Sequence, residues 1–525
     1  MKLLRSYVAG GWHEPTTGFV PLIDPCSEEP IAQASSAGID FGAALAFARD
    51  AGRRALAGTS IARRAAWLAA ASQALFARRD ELIELSLRNT GATRKDAKFD
   101  IDGATGVLAY YAQLGAELGE RRWFPDGDGV QLGRSPRFWG QHVGLPLAGV
   151  AVHVNAFNFP AWGFAEKAAC AWLAGMPVIS KPASSSALVT QRCVELLVEA
   201  AVLPPGLLQL VCGSAGDLLE RLGGQDVLAF TGSASTALQL RAKTALLRAS
   251  TRVNVEADSL NAALVAPDAA PGSETWGAFV RDVEREITQK TGQKCTAVRR
   301  VFVPRERLAA LREELAERLA AVVTGNPLDP SVTMGPLATA QQLVDVTAGT
   351  ALLQRATRRI VGSGARVDGV GNPSGKGYFF APTLLEADDA AAAAVVHEHE
   401  VFGPVCTLLA YDGSAEQGAA LVALAGGSLV SSLYSDDREF VERFVAAGGA
   451  HCGRLYLGSE KVAGQLPGSG VALPQVLHGG PGRAGGGQEL GGTRGLALYL
   501  QRVGLTGDRA LVEKLAATEA PTPAS

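Results

Sequence analysis

From Gly144 onward the sequence alternates short apolar runs with longer amphipathic ones, and no other feature restricts the fold so far. "AGVAVHVNA" reads as a strand, "WGFAEKAACAWLAG" as a helix, "PVISK" as a strand and "SALVTQRCVELLVEA" as a helix. The rhythm continues through "LLQLVCG", "AGDLLERLG", "DVLAFTG" and "STALQLRAKTALLR". Parallel strands need a crossover that a helix supplies, so this alternation predicts a parallel sheet covered by helices. A second alternating stretch begins at "NAALVAPDA" after Asn261 and runs to about residue 460. It takes in "RVFVP", a long helix from Arg305 and "PVCTLLAYD". The fold class is α/β, and 525 residues are too many for a single core.

The flanks depart from that rhythm. "FGAALAFARDAGRRALAG" and "IARRAAWLAAASQALFARRDELIELSLRNTG" place apolar residues at helical spacing, with Gly91 as a stop signal. Residues 123–143 alternate, carry a D-G-D-G turn and predict a hairpin. Residues 478–495 are dense in glycine. The apolar strand expected next, "LALYLQRV", argues for a folded, close-fitting loop rather than a linker. The final "EKLAATEAPTPAS" predicts a frayed tail.

Charge and composition exclude several functions. A formal net charge of −3 provides no electrostatic grip on nucleic acid or anionic lipid. No apolar run approaches the roughly 18 residues of a membrane helix. "MKLLRSYVAGGWHEP" lacks the apolar core of a signal peptide. The seven cysteines (26, 170, 193, 212, 295, 406 and 452) form no C-x-x-C pair, so neither a zinc site nor a disulfide framework is indicated. The expected compartment is the reducing cytoplasm. His397 and His399 in "HEHEVFGP" would share a face on a strand, but no third ligand sits at a recognisable spacing, so no metal is expected.

Five short segments carry candidate chemistry. In "TGQKCTAVRR" Cys295 follows Gly292, which permits an irregular backbone. Lys294 and Arg299 add positive charge that lowers a nearby thiol's pKa, although burial as a small hydrophobe is the commoner fate of a cysteine. In "RVNVEADSLN" Glu256 ends an alternating strand, where a carboxylate is either solvated or placed at a ligand crevice as a general base. In "NAFNFP" Asn158 either makes an Asx-turn or aims an amide N–H at an oxyanion. "FTGSAS", with Gly232 and Ser233, and "VCGSAGD" at 211–217 are turns of the kind that hold phosphate on helix N–H groups, and also serve as plain connections.

Together these segments resemble the aldehyde dehydrogenase superfamily. The matching motifs, in the family's order, are "FNFP" at 157, "SKPA" at 180, "FTGS" at 230, Glu256, "GQKC" at 292, "EVFGP" at 400 and "QELGG" at 488. The resemblance implies two Rossmann-like parallel-sheet domains plus a small β oligomerisation arm. Residues 1–122 and 144–260 would bind cofactor and 261–477 would form the catalytic domain, with 123–143 and 478–525 as arm and tail. It implies Cys295 as nucleophile, Asn158 and the Cys295 N–H as oxyanion donors, and Glu256 as the base that activates water. Glu489 would relay protons, Lys181 and Glu400 would touch the cofactor ribose, Phe402 and Phe157 would lie by the nicotinamide, and Gly232 and Ser233 by the pyrophosphate.

Six positions depart from the family pattern. Ala257 and Asp258 replace a glycine pair, Ala156 and Phe157 replace the Pro and Trp of "PWNFP", Ala237 replaces a turn glycine, and Ser184 replaces an acid that binds the adenosine ribose. Without that carboxylate a 2′-phosphate is not repelled, so NADP is expected over NAD, the competing reading being that Ser184 caps the next helix. Glu256 implies hydrolysis to a free acid, since relatives that acylate coenzyme A lack it. "VEADSLN", "GQKCTAVRR" and "LHGGPGRAGGGQELGG" are similar to a narrower group acting on semialdehydes of coenzyme A thioesters in bacterial aromatic breakdown. A chain ending at Ser525 leaves no room for the hydratase domain of the phenylacetate-route enzymes, which favours the benzoate route. The arm implies a homodimer. A non-catalytic protein on the same fold is the alternative from another class.

Overall fold

The computed structural model describes residues 1–465 and 467–519. Its frame is two seven-stranded sheets, each wrapped by helices. The first runs in the order Arg252–Ala257, Val227–Gly232, Ala151–Val154, Val178–Lys181, Leu208–Leu210, Ser6–Val8 and Gly11–His13. Its first five strands are parallel, and the two N-terminal strands add an antiparallel edge. The first of the five in the chain, Ala151–Val154, lies between Val178–Lys181 and Val227–Gly232, so the strand order reverses there. Such a switch point opens a crevice outside the carboxyl ends of the strands.

The second sheet runs Arg358–Val361, Thr383–Ala387, Val405–Tyr411, Arg300–Pro304, Ala262–Val265, Ser428–Tyr434 and Cys452–Gly458, and only its first pair is antiparallel. Strands buried on both faces read as continuous apolar runs rather than alternating ones. Val405–Tyr411 and Ser428–Tyr434 are buried at every position. A third, antiparallel sheet joins Phe124–Gln131 and Phe138–Pro146 to Leu500–Asp508. Among the described residues no helix is long and apolar enough to cross a membrane.

Several local expectations are corrected. The D-G-D-G segment is not the hairpin turn; it lies inside Phe124–Gln131 where the register shifts, and the chain reverses between Gln131 and Phe138. "LALYLQRV" is not all strand: Gly492–Tyr499 is a 3₁₀ helix, and pairing begins only at Leu500. The reason is packing, since Leu496 and Tyr499 are buried and the Tyr499 hydroxyl meets His153 at 3.1 Å. "AGDLLERLG" gives a single 3₁₀ turn, Leu218–Arg221. The expected frayed tail is helical over Arg509–Ala516, with Glu519 bridged to Arg121; the rest of that segment lies outside the described residues. His397 and His399 are not on a strand. They fall on the short helix Ala394–Glu398 and its C-cap, where His397 accepts from Arg300 Nη1 and donates to the Ala390 carbonyl.

Candidate active site

Cys295 sits on the loop between a kinked 3₁₀ turn, Gln289–Gly292, and the strand Arg300–Pro304. Three successive residues, Lys290, Thr291 and Gly292, have left-handed φ of 52°, 56° and 65°. At Gly292 a Cβ would lie 2.3 Å from the Gly403 carbonyl oxygen, so the position excludes any side chain. Asn261 fastens the loop, donating to the carbonyls of Cys295 at 2.8 Å and Ala297 at 2.9 Å. Thr296 Oγ1 ties the far side to the Gly470 carbonyl at 2.8 Å.

The charges near Cys295 do not act as the sequence suggests. Lys294 Nζ pairs with Glu286 Oε2 at 2.8 Å, both side chains buried. Arg299 donates to the carbonyls of Gly403, Gly292 and Lys294 and faces Glu400 at 4.0 Å. Burial, and then the Glu256 carboxylate, push the Cys295 thiol well above its ordinary pKa.

Glu256 lies next to the end of the strand Arg252–Ala257, in register with Thr231 of the neighbouring strand. Asn158 follows the strand Ala151–Val154, and its amide donates to the Gln293 carbonyl at 3.1 Å, which orients it toward the cysteine loop. Two cavities meet here. A cleft of about 950 Å³ runs along the carboxyl ends of the first sheet. A small pocket of about 50 Å³, walled by Phe99, Phe159 and Trp162, lies on the other side. Asn158, Glu256 and Cys295 line both.

The large cleft also takes in Lys181, Gly232, Ser233, Glu400, Phe402 and Phe157. Ser233 caps the helix Ala234–Arg241 by accepting from Thr236 N–H, so that helix N-terminus faces the cleft. Phe157 and Phe402 meet edge to face with ring centroids 6.0 Å apart. Lys181 makes no ion pair among the described residues, and burial lowers its pKa. Burial raises Glu400 to about 7. Thr231 Oγ1 lines the cleft, buried and without a hydrogen-bond partner. A helix N-terminus, an unpaired ammonium and an orphaned hydroxyl along one cleft suit a dinucleotide.

Two predicted features fall elsewhere. Ser184 opens the 3₁₀ turn Ser184–Ser186 just beyond the cleft-lining Ala183, and it caps neither that turn nor the following helix. The 211–217 turn does not line the cleft. It packs on the N-terminal segment, where a Cβ at Gly213 would lie 2.7 Å from the Ser36 nitrogen.

Sequence reasoning missed a buried charge network. Lys167 and Glu166 belong to the otherwise apolar helix Trp162–Ala174, and Lys167 Nζ reaches Glu489 Oε2 at 3.0 Å. Glu489 Oε1 accepts from Asn254 at 3.0 Å. Burial lowers the Lys167 pKa, but Glu489 and Glu166 outweigh it and keep the ammonium charged, while burial lifts Glu166 to about 7. His478, buried in the strand Leu477–Gly479, brings Nε2 to 3.2 Å from Glu256 and 3.8 Å from Cys295 Sγ. Two charges inside "WGFAEKAACAWLAG" are the signal that could have exposed the first pair; nothing local marks His478.

Comparisons with known proteins identify relatives of the chain and of its fold. The model of the aldehyde dehydrogenase family matches residues 12–502. The chain is 42% identical, over 91% of its length and 93% of the other's, to 3,4-dehydroadipyl-CoA semialdehyde dehydrogenase of Aromatoleum evansii. Betaine aldehyde dehydrogenase of Staphylococcus aureus in complex with NAD⁺ superposes with a TM-score of 0.82 at 22% identity, over 96% of this chain and 94% of that one. Lactaldehyde dehydrogenase of Escherichia coli gives 0.82 at 24% identity, over 96% and 99%.

Proposed function

The chain belongs to the aldehyde dehydrogenase family and is an NAD(P)-dependent aldehyde dehydrogenase, and from that premise we propose that it oxidises a coenzyme A-thioester semialdehyde to the free acid. One observation carries the catalytic part of the proposal: Asn158, Glu256 and Cys295 stand where the large cleft meets the small pocket. Cofactor and aldehyde would approach this junction from opposite sides.

In this reading the Cys295 thiolate, its proton already lost to water, adds to the aldehyde carbon, and the carbonyl π pair moves onto oxygen. The Asn158 amide and the Cys295 N–H hold the oxyanion that forms. When bound, the oxidised nicotinamide supplies the acceptor for the substrate's hydride. Glu256 then takes a proton from water, whose oxygen adds to the thioester on Cys295, and the carbon–sulfur bond breaks to release the acid. Lys181 and Glu400 would hold the ribose, Gly232 and Ser233 the pyrophosphate, and Phe402 and Phe157 the nicotinamide face. Glu489, paired with Lys167, would carry protons away from Glu256.

NADP is the proposed cofactor, with NAD as the alternative. Neither the Ser184–Ser186 turn nor the first turn of the helix after it carries an acid, which supports room for a 2′-phosphate. The substrate class is supported by the likeness to the Aromatoleum evansii enzyme. A homodimer built on the third sheet, in the cytoplasm, completes the proposal. The test is to follow cofactor reduction with 3,4-dehydroadipyl-CoA semialdehyde and with a simple aliphatic aldehyde, using NADP and NAD in turn. The expected result is at least tenfold higher kcat/KM for the thioester substrate with NADP. Equal values for the two aldehydes overturn the substrate, and a preference for NAD overturns the cofactor.

A further inference from the structure

Charge in the catalytic junction poses an electrostatic problem. Glu256 is buried, yet as a base it must be ionised beside the thiolate of the half-buried Cys295. Two anions in one desolvated site repel, and burial alone already disfavours each of them. The neighbouring cations are engaged elsewhere. Lys294 is paired with Glu286, and Arg299 is shared among three carbonyls and Glu400. Lys167 is held by Glu489 and Glu166. Arg454 donates to the carbonyls of Ser469 and Val471.

His478 is placed differently. Its Nε2 is 3.2 Å from Glu256 Oε2 and 3.8 Å from Cys295 Sγ, and the reactive atoms of all three residues lie within 4.8 Å of one another. A ring nitrogen that close to a carboxylate oxygen carries a proton, because two acceptors would repel. His478 Nε2 is therefore a donor toward both partners and not the base that takes the thiol proton. The groups that face it are Glu256 on the strand Arg252–Ala257, Cys295 on its loop, and Glu166 and Lys167 on the helix Trp162–Ala174. Glu489 on the paired strand and Arg454 on Cys452–Gly458 complete the set. Burial opposes charge on the imidazole, but Glu256 and Glu166 outweigh it and favour the cation; the same contact draws Glu256 well below the usual carboxylate range.

We propose that His478 is a catalytic residue: its imidazolium, shared between Glu256 Oε2 and Cys295 Sγ, is the counter-charge that lets Cys295 ionise next to the Glu256 carboxylate. This rests on the proposed roles of Cys295 as nucleophile and Glu256 as base. The role does not extend to hydride transfer.

The test reads the thiolate directly, without substrate or cofactor. The rate of Cys295 alkylation by iodoacetamide is measured against pH in the wild type, in His478→Gln and in His478→Asn, with Cys295→Ala identifying the labelled thiol. Binding of NADP by each variant, followed by protein fluorescence, shows that it is folded. Loss of the cation moves the midpoint of thiolate formation up by about one pH unit or more, which at neutral pH is about a tenfold fall in alkylation rate. The rates converge at high pH. A midpoint unchanged in both variants overturns the proposal. So does a fall of equal size at every pH, which marks a packing role. Failure of the underlying reading would look different, since Cys295→Ala would then retain aldehyde oxidation.

Discussion

At the scale of the residue, the site depends on side chains held in conformations few others could adopt. Gly292 is the sharpest case, with a left-handed φ and the Gly403 carbonyl where a Cβ would go. Gly292→Ala should cost at least about 2 kcal/mol, through backbone strain and overpacking together. Thermal unfolding should show a clearly lower midpoint, and a wild-type midpoint would contradict the geometry. Asp258 also has a positive φ, 29°, where relatives of the resembled family carry glycine. Arg483 holds it with two hydrogen bonds of 2.9 and 2.7 Å, so the departure has a partner supplied by the glycine-rich loop. Residue type and place made Cys295, Glu256 and Asn158 legible in the sequence as candidates. The state of the thiol was not legible, because Lys294 and Arg299 turn to partners that no local pattern reveals. His478 was hidden for the same reason, its sulfur contact spanning 183 positions.

At the scale of the element, the cysteine loop is placed by the short connection between Glu256 and the second sheet. Asn261 in that connection donates to Cys295 and Ala297, and its Oδ1 accepts from Ser259 at 2.6 Å and from Val430 N–H at 3.1 Å. One amide thus couples the end of the first sheet, the nucleophile loop and the second sheet. Asn261→Ala leaves these buried backbone groups unpaired, at about 1–3 kcal/mol each. Misplacing the sulfur should lower kcat by more than tenfold, while the cofactor dissociation constant changes little. An unaltered kcat would show that the loop is held by other contacts. The composition of the glycine-rich loop has its physical reason in the same region: Gly485 and Gly487 pack so closely on Val255 that a Cβ on either would lie 2.3 or 2.4 Å from its carbonyl oxygen. Alternation predicted the parallel strands because burial on both faces leaves an apolar signature. The part of the 3₁₀ segment Gly492–Tyr499 that falls in "LALYLQRV", residues 496–499, differs from the expected strand because an apolar run alone does not distinguish the two.

At the scale of the whole molecule, two sheets meet across the cleft, and a third packs Phe124 and Leu500 against the first core while its far end projects outward. Val130 on the edge strand Phe124–Gln131 is exposed, as are Leu132 in the turn after it and Phe138 where the central strand begins, and Leu457 on the edge strand Cys452–Gly458 is exposed as well. Apolar side chains on sheet edges invite pairing with another chain, in line with the proposed homodimer. Sedimentation equilibrium at micromolar concentration should give twice the mass of 54.4 kDa. A single-chain mass would rule the dimer out. The central claim, a thioester on Cys295 hydrolysed through Glu256, is tested most directly by Glu256→Gln. Mixed with aldehyde and cofactor, this variant should reduce one equivalent of cofactor per site in a burst. It should then stall, with intact-protein mass spectrometry showing an acyl adduct that is absent when Cys295 is also replaced. Steady turnover at the wild-type rate with no adduct would contradict that claim.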